Sequence, residues 1–421
     1  MWRSAAALVL LACLPAPVKA LDIEWDGYVE LEMRHFPNAG PSATHEQDFT
    51  ALAGEMELGL YDRTGRHALI VTPFGRYDGH DHERSHFDLR EAKYRYVNKS
   101  FELTIGVDKE FWGVTEFLHL VDIINQTDNV EGTDGEAKLG QPMVKASYAS
   151  PYGTLSAYAL PSFRIRQFAA PKTGRPNFGF TVDDNTTHFE SGDGRQTDDF
   201  ALRYKHSVGA FDIGLSYFDG TAREPQLLAT PEVSSSSGLP RMVAYYAFFE
   251  QSGLDVQATL GPWLLKLEAA QSTENRKLAN PLAGNRPTLD MPSEKVTVER
   301  ATGGIEYSFY NLFDSGTDLG IVAEFMYDER EQDAPHPFGK DVGIGLRWTP
   351  NDVQSTAILL GTIIDMDTDS SLISLEAERR IGSNFKASLE ARFQDKVGEE
   401  DPLAAANRDE DHWRFRLAYY F

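Results

Sequence analysis

Two stretches of the sequence have residue types and spacing that could do chemistry. His82-Glu83-Arg84-Ser85-His86 fits H-E-x-x-H, a pattern in which one helix face sets two histidines around zinc and the glutamate acts as base. Here it lies within DGHDHERSHFD, which has no apolar helical face. A solvated loop is therefore the expected setting, with His80, His82 and His86 at most an adventitious metal site. Asp365, Asp367, Asp369 and Glu376 have the spacing of a calcium-binding EF-hand loop, but Ser370 stands where that turn needs glycine. Glu376 also falls in a strand-like run. No G-x-S-x-G elbow and no P-loop occur. The expectation is no enzyme, no resident metal and no cofactor, with adventitious calcium on acidic outer loops such as 183–199 as the alternative.

The elements that position the remaining charges are strands. The chain ends in HWRFRLAYYF, where Trp413, Phe415, Leu417, Tyr419 and Phe421 fall on one side of an extended chain. Arg414, Arg416, Ala418 and Tyr420 fall on the other. The first candidate strand, 23–33, sets Ile23, Trp25, Val29, Leu31 and Met33 against Glu24, Asp26, Tyr28, Glu30, Glu32 and Arg34. Similar runs recur near 56–60, 67–77, 92–96, 101–108, 144–149, 154–163, 200–206, 211–218, 243–261, 263–271, 297–309, 319–327, 342–348, 356–364, 373–379 and 385–393, about 18 strands in all. Short turns such as 150–153, 207–209, 261–262, 350–352 and 381–384 alternate with long polar segments such as 78–86, 113–141, 164–199, 220–241, 272–295 and 395–411. Strands apolar on one face and polar on the other, joined alternately by short and long connections, predict an all-β, closed antiparallel transmembrane barrel with short periplasmic turns and long extracellular loops. Closure is required because lipid offers no partner to an open edge.

The N-terminus agrees. Residues 1–20 carry Arg3, an apolar run over 5–14 and small residues at the end, the form of a secretory leader, which leaves 21–421 as the barrel. A rival cleavage before Cys13 would instead make a lipoprotein. Cleavage after Ala20 removes the only cysteine, and with it any disulfide or thiol chemistry. It also removes Arg3 and Lys19, leaving 38 Lys plus Arg against 64 Asp plus Glu, a net charge of −26. Such a chain is not built for nucleic acid. No stretch after the leader reaches the ~20 apolar residues of a membrane helix.

The segment 113–141 sets Phe117, Leu120, Val121 and Ile124 at helical spacing on an otherwise polar loop. Folded into the barrel, it would bring Asp122, Asp128 and Glu131 to the pore; lying across the mouth, it would serve as packing. Inward positions on the strands assign Glu24, Glu30, Arg34, Lys93, Arg95, Arg392, Arg414 and Arg416 to the lumen, either as a salt-bridge lining or as a transverse field. The net charge predicts a weak preference for cations at the mouth.

The aromatic-rich last strand ending on Phe421, the leader and the alternating connections resemble the bacterial outer-membrane β-barrel porins. The segment after Phe111-Trp112-Gly113 is similar to that of the alginate-export-like monomeric barrels. The resemblance implies residence in the bacterial outer membrane among its lipid and lipopolysaccharide, and insertion by the outer-membrane assembly machinery. It also implies passive diffusion of ions or small hydrophilic solutes, and a monomer rather than a trimer. Two alternatives stay open. An exporter of an anionic polysaccharide would need a continuous basic track, and a plugged surface barrel or adhesin would have a filled lumen.

Overall fold

The computed structural model describes residues 21–40, 45–132, 134–170, 173–176, 180–183, 186–233, 238–331, 339–398 and 401–421. The leader assigned to 1–20 lies outside them. Eighteen strands form one sheet: β1 (Leu21–His35), β2 (Asp48–Asp62), β3 (His67–Asp78), β4 (His86–Asn98), β5 (Phe101–Asp108), β6 (Gln141–Ser150), β7 (Gly153–Leu160), β8 (Asp199–Val208) and β9 (Phe211–Thr221), then β10 (Phe248–Leu260), β11 (Trp263–Lys277), β12 (Ser293–Leu312), β13 (Thr317–Asp328), β14 (Lys340–Thr349), β15 (Ala357–Asp365), β16 (Ser371–Ile381), β17 (Phe385–Lys396) and β18 (His412–Tyr420). Each pairs antiparallel with the next, and β18 returns to β1 from Tyr28↔Tyr420 to His35↔Trp413. No edge is left open, as a strand wall in lipid requires. Beyond the last strand, Phe421 and Gly27 exchange backbone hydrogen bonds of 3.1 and 3.3 Å, and the Phe421 ring lies 5.8 Å from Trp25.

Side-chain alternation sets which face is which. On β1, Ile23 and Trp25 are 63% and 61% exposed and Val29 and Met33 are also exposed, while Glu32 and Arg34 are buried inside. Trp413, Phe415 and Tyr419 continue the outer apolar face across the β18–β1 seam. Eight connections are tight turns at one rim, where Gly209 and Gly261 take the positive φ that a two-residue link requires. The nine connections at the other rim are mostly long.

Two details differ from the sequence reading. The run 243–261 is not one strand. Pro240–Tyr246 pairs with Gln226–Val233 outside the barrel and runs parallel to Thr181–Val182 and His188–Phe189, while β10 begins at Phe248. Tyr245, Tyr246 and Ala247 are buried in succession, so this stretch is covered on both faces and lacks the alternation of a wall strand. The second difference is the connection 366–370, which has only five residues although it lies at the long-loop rim. There Asp365 accepts the N–H groups of Asp367 and Thr368 at 2.7 and 2.9 Å, closing a tight turn.

Candidate functional site

The segment 109–140, between β5 and β6, bonds to inward-facing wall residues along both of its arms. One arm is held on the β10–β15 wall by two carboxylates. Glu268 of β11, fully buried, accepts at Oε1 from the N–H groups of Val114 (2.7 Å) and Thr115 (3.1 Å) and from the Thr115 hydroxyl (2.7 Å). At Oε2 it accepts from the N–H groups of Leu120 and Val121 at 2.7 and 3.2 Å. Glu324 of β13 accepts from the N–H groups of Glu116 and Phe117 at 2.7 and 3.0 Å. These acceptors replace the hydrogen bonds that an irregular loop cannot make to itself. The Glu116 side chain reaches Lys266 at 2.5 Å and Arg347 at 2.8 Å.

The apolar stripe seen in the sequence buries here. Trp112, Val121 and Ile124 join Met143, Tyr158, Leu160 and Phe218 in a core inside the barrel. Phe117 lies against Gly343, Gly345 and Gly361 of the wall; a Cβ on Gly343 would stand 2.6 Å from its ring. The missing side chains make the trough that seats the ring.

The return arm faces β3, β4, β17 and β18. Glu131 forks onto Arg76 with contacts of 2.7, 2.8 and 3.1 Å, Asp128 meets Arg90 at 2.8 Å and Asp134 meets Arg392 at 3.0 Å. Arg414 bonds Glu390 and donates to the Glu131 carbonyl at 2.9 Å. Burial raises the Glu131 carboxyl, but Arg76 and Arg84 outweigh it and hold it below the usual carboxylate range. His119 links the two arms: it lies 3.1 Å from Glu136 and 3.8 Å from Glu268. Burial alone would depress its pKa, yet the two carboxylates lift it to about 10, so the ring is charged at neutral pH.

Between the return arm and the wall lies a cavity of about 540 Å³, lined among others by Tyr28, Glu30, Arg76, Arg90, Lys109, Glu136, Glu376 and Arg416. A smaller cavity of about 50 Å³ lies against the outer loops. Glu131, Gly132, Glu390 and Arg414 line both and so stand between them.

The residues singled out in the sequence take varied places. Asp122 is buried in the loop, accepting from the Trp112 N–H at 3.3 Å and meeting Lys138 at 3.1 Å. Asp128 is buried against Arg90, and Glu131 lines the cavities. Of the lumen charges, Glu30, Arg392, Arg414 and Arg416 gather around the return arm. Arg34 is buried behind it, 3.4 Å from Asp78, and Lys93 pairs with Asp108 at 2.6 Å. Glu24 is exposed at the turn end of β1, and Arg95 lies on β4 away from this group. The H-E-x-x-H stretch is a loop over 82–85 that enters β4 at His86; His82 meets Glu83 at 3.2 Å while His86 packs on Phe74. Its most deeply held member is Arg84, fully buried and bonded to Glu32, Asp78 and the Val130 carbonyl at 2.9, 2.8 and 2.6 Å. Glu376 faces Arg392 at 3.0 Å and does not join Asp365, Asp367 and Asp369. Among the described residues no group of three or more His, Cys, Asp or Glu side chains is arranged to hold a metal ion. Sequence reading missed Glu268, Arg76, Arg84 and Arg90 as site residues. Strand parity marks Glu268 as inward, but nothing local marks it as the acceptor for a loop some 150 residues away.

No protein-family model and no curated protein sequence matches the chain. Solved structures do. The chain is similar to OccK2 (OpdF) of Pseudomonas aeruginosa at 12% identity and a TM-score of 0.55, covering 95% of this chain and 98% of that one. OccK2 in complex with glucuronate gives a TM-score of 0.53, and OccK9 (OpdG) of the same organism gives 0.51, both at 12% identity and the same coverage. With its strands closed into one antiparallel ring and its apolar face outward, the chain is an 18-strand β-barrel with the fold of the bacterial outer-membrane porins.

Proposed function

We propose that this protein is an outer-membrane channel for passive diffusion of ions and small hydrophilic solutes, narrowed by the segment 109–140. The observation that carries the reading is the asymmetry of that segment. One arm is sealed on the β10–β15 wall through Glu268, Glu324 and the glycine trough, while the other leaves a charged cavity of about 540 Å³ beside β3, β4, β17 and β18. Solutes then pass through this cavity beside the return arm, along charges of both signs such as Glu30, Arg76, Lys109, Glu136, Glu376 and Arg416. Charge of both signs along such a path suits polar solutes and excludes apolar ones of equal size. Swelling of liposomes carrying the refolded protein, in a series of neutral sugars of rising size, tests this. Entry of the small members and exclusion of the large ones is expected; swelling no faster than protein-free liposomes would overturn it.

We also favour a monomer. Exposed apolar side chains run round the whole wall, from Trp25 through Phe101, Leu155, Leu215, Leu265, Ile321 and Leu360 to Phe415, as expected of a barrel facing lipid on every side. Light scattering in detergent should return the mass of one chain. The polysaccharide-exporter alternative has less support, because Arg76, Arg90, Arg392 and Arg414 each sit on a carboxylate and do not offer a free basic track. The plugged-barrel alternative draws on one observation: Arg175, which lies between β7 and β8 in sequence, bonds Glu410 and the Asn38 carbonyl beside the β18–β1 seam.

A further inference from the structure

Several buried carboxylates inside the barrel are met by a guanidinium: Asp78 by Arg84 at 2.8 Å, Asp199 by Arg223 at 2.8 Å and Asp328 by Arg330 at 2.6 Å. Asp341, at the outer-rim end of β14, is not. It is only 1% exposed, and among the described residues no hydrogen-bond donor reaches its Oδ2. Its Cα partner across the strand pair is Asp365 of β15, also buried, so the register sets two carboxylates side by side on the inner face.

The charges that act most on Asp341 are all carboxylates: Asp365, Asp401 of the connection to β18, and Asp367 of the turn 366–370. Lys340, next to it in sequence, is partly exposed and lies 3.7 Å from Asp367. Asp365 accepts the N–H groups of Asp367 and Thr368 at Oδ1, and Asp401 accepts that of Ala404 at 2.8 Å, so both are held in place by backbone. Like charges directly opposite on neighbouring strands are destabilising, and a buried charge persists only where something positive meets it. Among the described residues, no side chain supplies that positive charge at Asp341.

We infer that Asp341 and Asp365 hold a divalent cation, calcium or magnesium, at the outer rim of the barrel. Two carboxylates are fewer than the clusters that enclose a metal ion entirely, so the ion keeps part of its water shell. Magnesium does so on one or two carboxylates, and calcium accepts waters and carbonyls among its ligands. Asp401 and Asp367 add negative field without ligating. The ion fastens β14 to β15 where the turn 366–370 closes them. Asp365 thus acts with a partner across the sheet, and not with Glu376, which faces Arg392. The site does not depend on conduction and stands apart from the channel reading.

The test uses the full chain refolded in detergent without lipopolysaccharide, stripped with EDTA, at neutral pH and constant ionic strength. Calcium alone, and magnesium alone in parallel, should raise the temperature at which heat-modifiable migration on gels is lost, and titration calorimetry should return a single site per chain. Asp341→Asn should remove that rise and, in EDTA, should outlast the wild type, because the opposed charges are relieved. Asp365→Asn keeps a carbonyl oxygen for the turn and should weaken cation affinity by about tenfold or more, since affinity follows ligand charge. Asp367→Asn removes the same charge outside the pair and should bind nearly as tightly as the wild type. A rise of equal size in the wild type, Asp341→Asn and Asp365→Asn would overturn the site in favour of general charge screening. Binding of neither ion would also overturn it, and stability that then grows as the pH is lowered would assign the pair a shared proton instead.

Discussion

Replacing Glu268 by alanine removes one carboxylate and five hydrogen bonds to the narrowing segment at once. A hydrogen bond to a charged acceptor contributes about 1.5–3 kcal/mol net, but five on one carboxylate share a single charge and do not add. Removing one partner of a buried charged group costs on the order of 3–5 kcal/mol. Water entering the lumen can serve some of the freed N–H groups, which places the expected loss near the lower end, about 3 kcal/mol. At about 1.4 kcal/mol per tenfold, the population with the arm detached should rise by about two orders of magnitude. Glu268→Gln should release one half of the clamp, since its amide oxygen can accept on one side while its NH₂ faces the donors on the other. Hydrogen exchange reads this directly: the amides of Val114, Thr115, Leu120 and Val121 should lose protection in Glu268→Ala while those of the barrel strands keep theirs. Single-channel conductance should rise or grow noisy in parallel. Unchanged exchange at these four amides, with unchanged conductance, would refute the clamp.

The remaining predictions concern the seat, the charge and the pH response of the same segment. Gly343→Ala places a methyl 2.6 Å from the Phe117 ring and should displace it at a cost of about 1–3 kcal/mol, seen as faster exchange at Glu116 and Phe117 in a barrel of unchanged melting temperature. Glu131→Gln removes the carboxylate that forks onto Arg76, so the reversal potential across a salt gradient should move toward anions, with the cation-to-anion permeability ratio falling by about twofold to fivefold. His119 is raised from its ordinary 6.5 to about 10, so the link it makes to Glu136 and Glu268 is fully present below pH 6.5 and is lost as the pH rises through 10. Protection of the 114–121 amides, corrected for intrinsic exchange, should therefore fall at alkaline pH, and His119→Gln should abolish that step.

The barrel was legible because two solvents impose it. Lipid outside and water inside force a period of two on every wall strand, and the residues of β1, β5 and β18 state that pattern plainly. It failed at 243–261, where a hairpin strand buried on both faces runs directly into a wall strand and the apolar run shows no seam. The narrowing segment was visible as an apolar stripe in need of a partner. Its partners were not, because Glu268, Glu324 and the three glycines lie on four strands far along the chain and are ordinary inward residues locally. For the same reason Asp122, read as a candidate to face the pore, is found buried against Lys138, while Arg84, hidden inside a metal-like motif, pairs with Glu32 of the wall.

The central claim is that the barrel conducts through a gap beside the return arm. Single-channel recording of the refolded protein in a planar bilayer, with Glu268→Ala recorded beside it, decides the matter. Discrete ohmic steps are expected in the wild type, and larger or noisier steps in Glu268→Ala. Folded, heat-modifiable barrels that show no steps in either protein would contradict it.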